Sequence, residues 1–317
     1  MATPVITVLT AEPSQQLPGF QPGGRATLHF AHDLDTLRDG LERSDILVVT
    51  DFRSTLLHDA WPADCPVRWV HATSAGVDAL RIPAQHRSDL TVTNARGVFD
   101  RGIAEYVLGA ILMFAKDTLG NLAHQRAHRW QHRDTALISR QRALIVGAGS
   151  IGRETGRLLK AAGLQITGTA RSTRDDPVFG KVFSVSELPR LLPDADHVVI
   201  TAPLTSGTDG LFDDAMLRHC KPGACLINVG RGPIVRTHAL IKALQSGRLQ
   251  GAALDVFEQE PLPADHPLWD MPQVMISAHM AGDFVGWEAA LGEQFSAQLD
   301  RYLSGAPLEN IVRLDKH

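Results

Sequence analysis

Residues Gly147-Ala148-Gly149-Ser150-Ile151-Gly152 follow directly on the apolar run Ala143-Leu144-Ile145-Val146 and lead into Arg153–Ala162, a segment of helical character. No other stretch constrains the fold as much. In a G-x-G-x-x-G junction the first glycine permits the tight turn. The second lets backbone come close to a ligand, and the third lets the helix pack against the strand. The amides of the first helical turn lie at the positive end of the helix dipole, which suits an anion such as a pyrophosphate. The spacing alone is weak. Its place between a strand and a helix makes it a dinucleotide-loop signal, with a ligand-free glycine turn as the plain alternative.

Around this junction short β-branched runs alternate with helical segments, the pattern of an α/β protein with parallel sheets. The first hundred residues carry expected strands at Val5–Leu9, Ala26–Phe30, Ile46–Thr50, Val67–His71 and Leu90–Thr93, with a helix at Leu34–Arg43, and suggest a flavodoxin-like sheet. Thr10–Gly24 is the one long loop candidate. A long helix is expected from the N-cap Asp100 to about Asn121, with Ile103, Val107, Ile111 and Phe114 at helical spacing, trailing into the solvated His- and Arg-rich stretch Ala123–Trp130. A second series has expected strands at Ala143–Val146, Gln165–Thr169, His197–Ile200, Ala224–Val229, Gly251–Asp255 and Val274–Ser277. Six strands with helices between them match a complete Rossmann sheet. The last helix, Gly286–Leu303, comes too late to extend that series and is expected to cross back to the first. The chain has 317 residues, enough for two domains, because single cores rarely grow past roughly 250–300 residues. The expected organisation is a doubly wound dinucleotide-binding domain, 100–283, inserted in a discontinuous flavodoxin-like substrate domain, 1–99 and 284–317.

The strand after the glycine loop ends in Gly168-Thr169-Ala170-Arg171-Ser172-Thr173-Arg174. A dinucleotide fingerprint places an acidic residue about 20 residues beyond its glycines, to bind the ribose hydroxyls. Here Ala170 stands in that place. Arg171, Ser172 and Arg174 suit a 2′-phosphate instead, because a guanidinium offers a charged fork to phosphate oxygens. The expectation is NADP(H) in preference to NAD(H), with NAD(H) still possible. Asp175 and Asp176 lie too far along to be first choices as ribose ligands.

Composition narrows the partners. The formal net charge of −4 points neither to nucleic acid nor to an anionic membrane surface. No apolar run approaches the roughly 18–20 residues of a membrane span. The N-terminus reads as a first strand rather than a signal peptide. Cys65, Cys220 and Cys225 form no CxxC, so they are expected as core residues in a reducing, cytoplasmic setting. No HExxH motif or close His–Cys cluster suggests a metal.

Three further residues carry the chemistry. Arg231 sits in Asn228-Val229-Gly230-Arg231-Gly232, after the apolar run Ala224–Ile227. Glu260 closes Asp255-Val256-Phe257-Glu258-Gln259-Glu260, with Glu258 as a local rival, and His279 follows the strand-like Val274–Ala278. A cation to grip a carboxylate, an imidazole to exchange a proton and a carboxylate to tune the imidazole are what reduction of a 2-keto acid needs.

Taken in order, the glycine loop, Asn228–Gly232, Ala253–Leu262 and Ser277–Gly282 make the chain resemble the D-isomer-specific 2-hydroxyacid dehydrogenases over nearly its whole length. The resemblance implies two domains around a deep cleft, NAD(P)H in the second, a homodimer through the cofactor domains, and a small 2-keto or 2-hydroxy acid as substrate. It implies Arg231 as substrate clamp and His279–Glu260 as the acid–base pair. It gives Ala75 and Gly76, in the loop after His71, the role of receiving the substrate carboxylate on their amides. Thr201, Ala202 and Pro203 would line the adenosine side, with Val229 and Gly230 beside the cofactor and Asp255 holding the nicotinamide carboxamide. Two departures stand out: the histidine common near Thr201 is absent, and Ala278 replaces a common proline. Arg96, Phe99, Met280, Phe284 and Trp287 are candidate walls for the substrate side chain. Two other readings stay open. One is a dinucleotide-sensing binding protein of the corepressor type. The other is a formate-type dehydrogenase, disfavoured because that group carries glutamine where Glu260 stands.

Overall fold

The computed structural model describes residues 3–13, 17, 19, 20, 22–50, 54–78, 80, 82 and 89–312. Its backbone separates into two units, Met1–Phe99 with Phe284–His317, and Asp100–Asp283. Part of the loop candidate Thr10–Gly24 lies outside the described residues.

In the first unit the strands are β1 (Val5–Leu9), β2 (Thr27–Ala31), β3 (Ile46–Val49), β4 (Trp69–Ala72) and β5 (Thr91–Asn94). They pair in parallel in the order β2-β1-β3-β4-β5. That is the flavodoxin-like order, and parallel strands of this kind are covered on both faces. In β3 the alternation is direct. Leu47 and Val49 face a layer that includes Leu37 and Leu41 of α1 (Leu34–Leu41) and Leu57 of α2 (Ser54–Ala60). Ile46 and Val48 face the other layer with Trp69, Phe295 and Leu299.

Phe295 and Leu299 come from the C-terminal helix Trp287–Ser304, so this unit is completed by residues from the far end of the chain. Two glycines bound the helix, Gly286 at φ 94° and Gly305 at φ 72°. Both lie in the left-handed region that glycine enters without steric cost. Phe295 packs against Phe20, Trp69 and His71 with ring centroids 4.7, 5.3 and 5.2 Å away.

The second unit runs through α3 (Asp100–Ala115), α4 (Thr118–Arg126), β6 (Arg142–Val146), α5 (Ser150–Ala161), β7 (Gln165–Ala170), β8 (Arg174–Asp176) and β9 (Gly180–Ser184). It continues with α6 (Leu188–Leu191), β10 (His197–Ile200), α7 (Asp214–Leu217), β11 (Ala224–Asn228), α8 (Thr237–Gln245), β12 (Leu249–Leu254) and β13 (Val274–Ile276). Among the described residues its sheet has eight strands, ordered β13-β12-β11-β10-β6-β7-β9-β8, all parallel except β8.

Two expectations need correction. The single long helix is broken at Asp117, which adopts φ 47° and caps α4 by accepting from the Gly120 amide. Asp100 is the first residue of α3 rather than a cap before it, and its carboxylate accepts from the Ser150 hydroxyl. The six expected strands are present, but β9 adds a parallel strand beside β7, and β8 folds back on it as an antiparallel edge.

All three cysteines are free and buried, as expected of core residues. Burial pushes the Cys220 thiol up to about 11 and that of Cys225 to about 12, so neither is a nucleophile near neutral pH. Among the described residues no helix is long and apolar enough to cross a membrane.

Candidate active site

The glycine loop has the shape its spacing suggests. Gly147 sits at φ 115°, and a Cβ there would come within 2.6 Å of the Ala202 backbone nitrogen. A Cβ on Gly152 would meet the Gly147 carbonyl oxygen at 2.0 Å, so helix and strand approach more closely than any side chain allows. At Gly149 a Cβ would meet nothing within 4 Å. That open side, next to the amides at the start of α5, fits a pyrophosphate. The Ser150 hydroxyl donates to Asp100, so Ser150 and Ile151 have their backbone amides to offer an anion. Thr201 Oγ1 donates to the Gly147 carbonyl at 2.8 Å and ties the loop to the end of β10.

At the end of β7, Ala170 is followed by exposed Arg171 and Ser172. Arg174 opens β8, and its Nη2 donates to the Ala148 carbonyl at 2.8 Å. Asp176 is buried; it accepts from Arg153 Nε at 2.8 Å and from the Val178 amide at 3.0 Å, which leaves it occupied within the fold.

The three candidate catalytic residues follow adjacent strands, β11, β12 and β13. Ligands of open parallel sheets bind beyond such carboxyl ends. Arg231 is presented by a turn that Asn228 holds. The Asn228 side chain accepts from the Gly230 amide at 3.1 Å and donates to the Arg231 carbonyl at 3.1 Å. Arg231 Nη1 donates to the Gly230 carbonyl at 2.8 Å. His279 Nδ1 lies 2.8 Å from Glu260 Oε2. An ionised carboxylate only accepts, so Nδ1 carries the proton and Nε2 is left for exchange with a substrate.

Glu258, the rival, faces elsewhere. It accepts from the Thr237 amide at 2.7 Å, at the start of α8, and lies 3.5 Å from Arg236 Nη1.

The hydrogen bond that His279 donates to Glu260 raises the His279 pKa above the usual imidazole value. Partial burial and the Arg231 charge oppose this without cancelling it. Burial would push Glu260 up, but hydrogen bonds from His279 and the Phe257 amide hold it below the usual carboxylate value. The pair therefore favours imidazolium and carboxylate, with a guanidinium close enough for both to feel its charge.

Asp255 is buried and engaged more widely than its sequence context implied. Its carboxylate accepts from Ser277 Oγ and from the amides of Met280 and Ala281. Asn228, Ser277 and Tyr106, which hydrogen-bonds Ser277, were not singled out in the sequence. Asn228 had a readable signal, an asparagine two residues before a glycine at a strand end. Tyr106 had none.

In the first unit the loop after β4 is shaped by its own polar groups. Ser74 Oγ donates to the Gly76 carbonyl, and Asn94 Nδ2 donates to the Ala75 carbonyl at 2.6 Å. The amides of Ala75 and Gly76 donate to none of the described residues. Phe99 and Trp287 pack with centroids 6.0 Å apart.

A glycine loop of this geometry at the head of a doubly wound sheet defines a dinucleotide-binding α/β protein. Residues 108–281 match the protein-family model described as "D-isomer specific 2-hydroxyacid dehydrogenase, NAD binding domain". The chain belongs to the D-isomer specific 2-hydroxyacid dehydrogenases, a family of NAD(P)-dependent oxidoreductases. A glyoxylate reductase of Thermofilum pendens is 30% identical over 96% of this chain and 93% of its own. An (S)-sulfolactate dehydrogenase of Chromohalobacter salexigens is 34% identical over 68% of this chain and 71% of its own. Among solved structures, an NADPH-dependent glyoxylate/hydroxypyruvate reductase of Sinorhizobium meliloti, in complex with NADP and sulfate, superposes with a TM-score of 0.86 at 27% identity, covering 99% of both chains. A family member from Xanthobacter autotrophicus Py2, in complex with NADPH and MES, gives 0.81 at 27% identity over 98% of each.

Proposed function

We propose that the protein reduces a small 2-keto acid to the D-2-hydroxy acid, using NADPH in preference to NADH. The carrying observation is the His279–Glu260 pair at 2.8 Å with the Arg231 charge beside it. Arg231 grips the carboxylate or keto oxygen of the acid and polarises the carbonyl. NADPH held along the glycine loop would supply the hydride to C2. His279 delivers the proton from Nε2 to the keto oxygen, and Glu260 stabilises the imidazolium before transfer. In the reverse direction His279 takes the hydroxyl proton. The amides of Ala75 and Gly76 are proposed to receive the carboxylate.

The NADPH preference is supported by the exposed Arg171 and Ser172 after an Ala170 whose side chain cannot bind a ribose hydroxyl; Arg174, expected beside them, is engaged with the Ala148 carbonyl of the glycine loop. The relative from Sinorhizobium meliloti described as NADPH-dependent agrees with it. Gly147, Gly149, Ser150, Ile151 and Gly152 hold the pyrophosphate, Thr201, Ala202 and Pro203 the adenosine side, and Val229, Gly230 and Asp255 the nicotinamide side. Three free, buried cysteines agree with a reducing, cytoplasmic setting. A homodimer through the second unit is the expected assembly, supported by the exposed Leu122 and Trp130 on that unit.

The test is loss of NADPH absorbance with glyoxylate, hydroxypyruvate and phenylpyruvate, repeated with NADH. Turnover of at least one acid, faster with NADPH at low cofactor, is expected. No turnover of any acid, despite cofactor binding, would favour a sensing role instead.

A further inference from the structure

Tyr106 lies within α3, partly buried, and has no part in the reading above. Its hydroxyl oxygen is 2.7 Å from Ser277 Oγ, and Ser277 Oγ donates to Asp255 Oδ1 at 2.6 Å. Ser277 has one hydroxyl proton, and it is committed to the carboxylate. Tyr106 must therefore be the donor to Ser277. The three groups form a directed chain from Tyr106 O–H through Ser277 Oγ–H to Asp255 Oδ1. Hydrogen bonds in series polarise and strengthen one another in a partly buried setting.

Asp255 in turn fastens the turn that carries His279. Oδ1 accepts from the Met280 amide at 2.9 Å, and Oδ2 accepts from the Ala281 amide at 2.9 Å. The Asp255 carbonyl accepts from the His279 amide at 2.8 Å. His279 itself stands at φ 52°, a left-handed conformation unusual for a residue with a side chain. Such a backbone persists only when its surroundings over-determine it. Here a single buried aspartate does so from both sides of the histidine.

We propose that Tyr106 is a positioning residue for the acid–base pair. Through Ser277 and Asp255 it fixes the backbone turn that holds the His279 imidazole in line with Glu260. The inference rests on the acid–base reading of His279. Without the phenol hydroxyl, Ser277 loses its donor and is free to rotate. The Asp255 carboxylate then loses its outer anchor, and the Met280 and Ala281 amides lose a fixed acceptor. The imidazole stays in place chemically but is aimed less well.

The experiment compares Tyr106→Phe, Ser277→Ala and the double variant with the wild type. It reads kcat, the KM for NADPH, the pH profile of kcat and the thermal midpoint. It also follows the His279 imidazole by NMR titration, assigned by the resonance that disappears in His279→Gln. Tyr106→Phe should lower kcat about three- to tenfold, the scale of one lost hydrogen bond acting at a distance, with the KM for NADPH within about twofold. The His279 titration should move toward lower pH, because the bond to Glu260 that raises it depends on alignment; the charges it feels are Glu260, Arg231 and Asp255. The double variant should be no worse than Ser277→Ala alone, since both break one chain.

A Tyr106→Phe enzyme with wild-type kcat and an unmoved His279 titration overturns the proposal, even if its thermal midpoint falls. Losses that multiply in the double variant overturn it too. If the wild type reduces no keto acid, or His279→Gln keeps full turnover, the acid–base reading fails. The NMR titration still tests the chain in that case.

Discussion

Arg174 Nη2 donates to the carbonyl oxygen of Ala148 across 2.8 Å, so a residue of β8 braces the middle of the glycine loop. Arg171, three residues earlier, stays exposed at the strand end. The two arginines should therefore fail differently. Arg171→Ala should raise the KM for NADPH about ten- to a hundredfold, the worth of an arginine–phosphate contact, and leave that for NADH nearly unchanged. Arg174→Ala should weaken both cofactors, because the loop loses its brace. Steady-state kinetics with each cofactor checks this. Equal losses for Arg171→Ala would remove it from 2′-phosphate recognition.

His279→Ala should lower turnover of keto-acid reduction by about 10²–10⁴-fold, the usual contribution of a general acid, while NADPH still binds. Glu260→Gln should be milder. Reduction needs the imidazolium, and the Glu260 hydrogen bond keeps it protonated to higher pH. Losing that charge should move the alkaline fall of the reduction profile to lower pH. A pH–rate series on both variants decides the point. A profile unmoved in Glu260→Gln would mean that the carboxylate does not tune the imidazole.

A Cβ on Gly232 would sit 1.8 Å from the carbonyl carbon and oxygen of Phe257. Backbone meets backbone there, and no side chain can move aside. Gly232→Ala should destabilise the second unit by about 3 kcal/mol or more, a melting shift of roughly 5–10 °C. It should also separate the turn of Arg231 from the segment of Glu260, so activity should fall and cooling should recover it only in part. Calorimetry beside an activity assay reads both effects; a variant that melts and turns over like the wild type would exclude this contact.

Two histidines should make the protein acid-sensitive well before its carboxylates do. Burial lowers His71 from 6.5 to about 3, and burial lowers His197 from 6.5 to about 4 against a smaller opposing pull from Asp196. Both stay neutral in the fold but take up a proton when unfolded. Stability should therefore be full above pH 6.5 and decline as pH falls toward 4, by up to about 1.4 kcal/mol per pH unit for each. Carboxylates with lowered pKa, such as Asp196 and Glu260, add their losses only nearer their own range. Denaturant unfolding across this window measures the slope. His197→Gln should flatten it; an unchanged slope would assign the loss to other groups.

The parts of this architecture legible in the sequence are those where local spacing carries the physics. The glycine loop needed only its strand and helix neighbours, and the strands announced themselves by β-branched runs. Spacing alone did not separate Glu258 from Glu260, because two residues do not say which carboxylate turns toward His279; the choice of Glu260 rested on the family resemblance. The deciding contact is Glu258 on the Thr237 amide, 21 residues away. The break at Asp117 was hidden because apolar residues continue beyond it at Leu119 and Leu122, which masked the cap that Asp117 and Gly120 form. β8, Arg174–Asp176, is charged throughout, so no alternation revealed it. The Tyr106–Ser277 bond joins residues 171 apart, and only the folded sheet brings them together.

The C-terminal helix also sets an order of events during synthesis. A ribosome that has delivered residue 283 has released every residue of the second unit, while the first still lacks Phe295 and Leu299, the side chains that cover Trp69. Domains fold as units while the chain emerges. The later-encoded unit should thus be finished first, and the earlier one should wait with one face of its sheet incompletely covered. In nascent chains stalled near that point, limited proteolysis should spare 100–283 and cut within 1–99. Equal resistance of both would mean that the first sheet closes without its last helix.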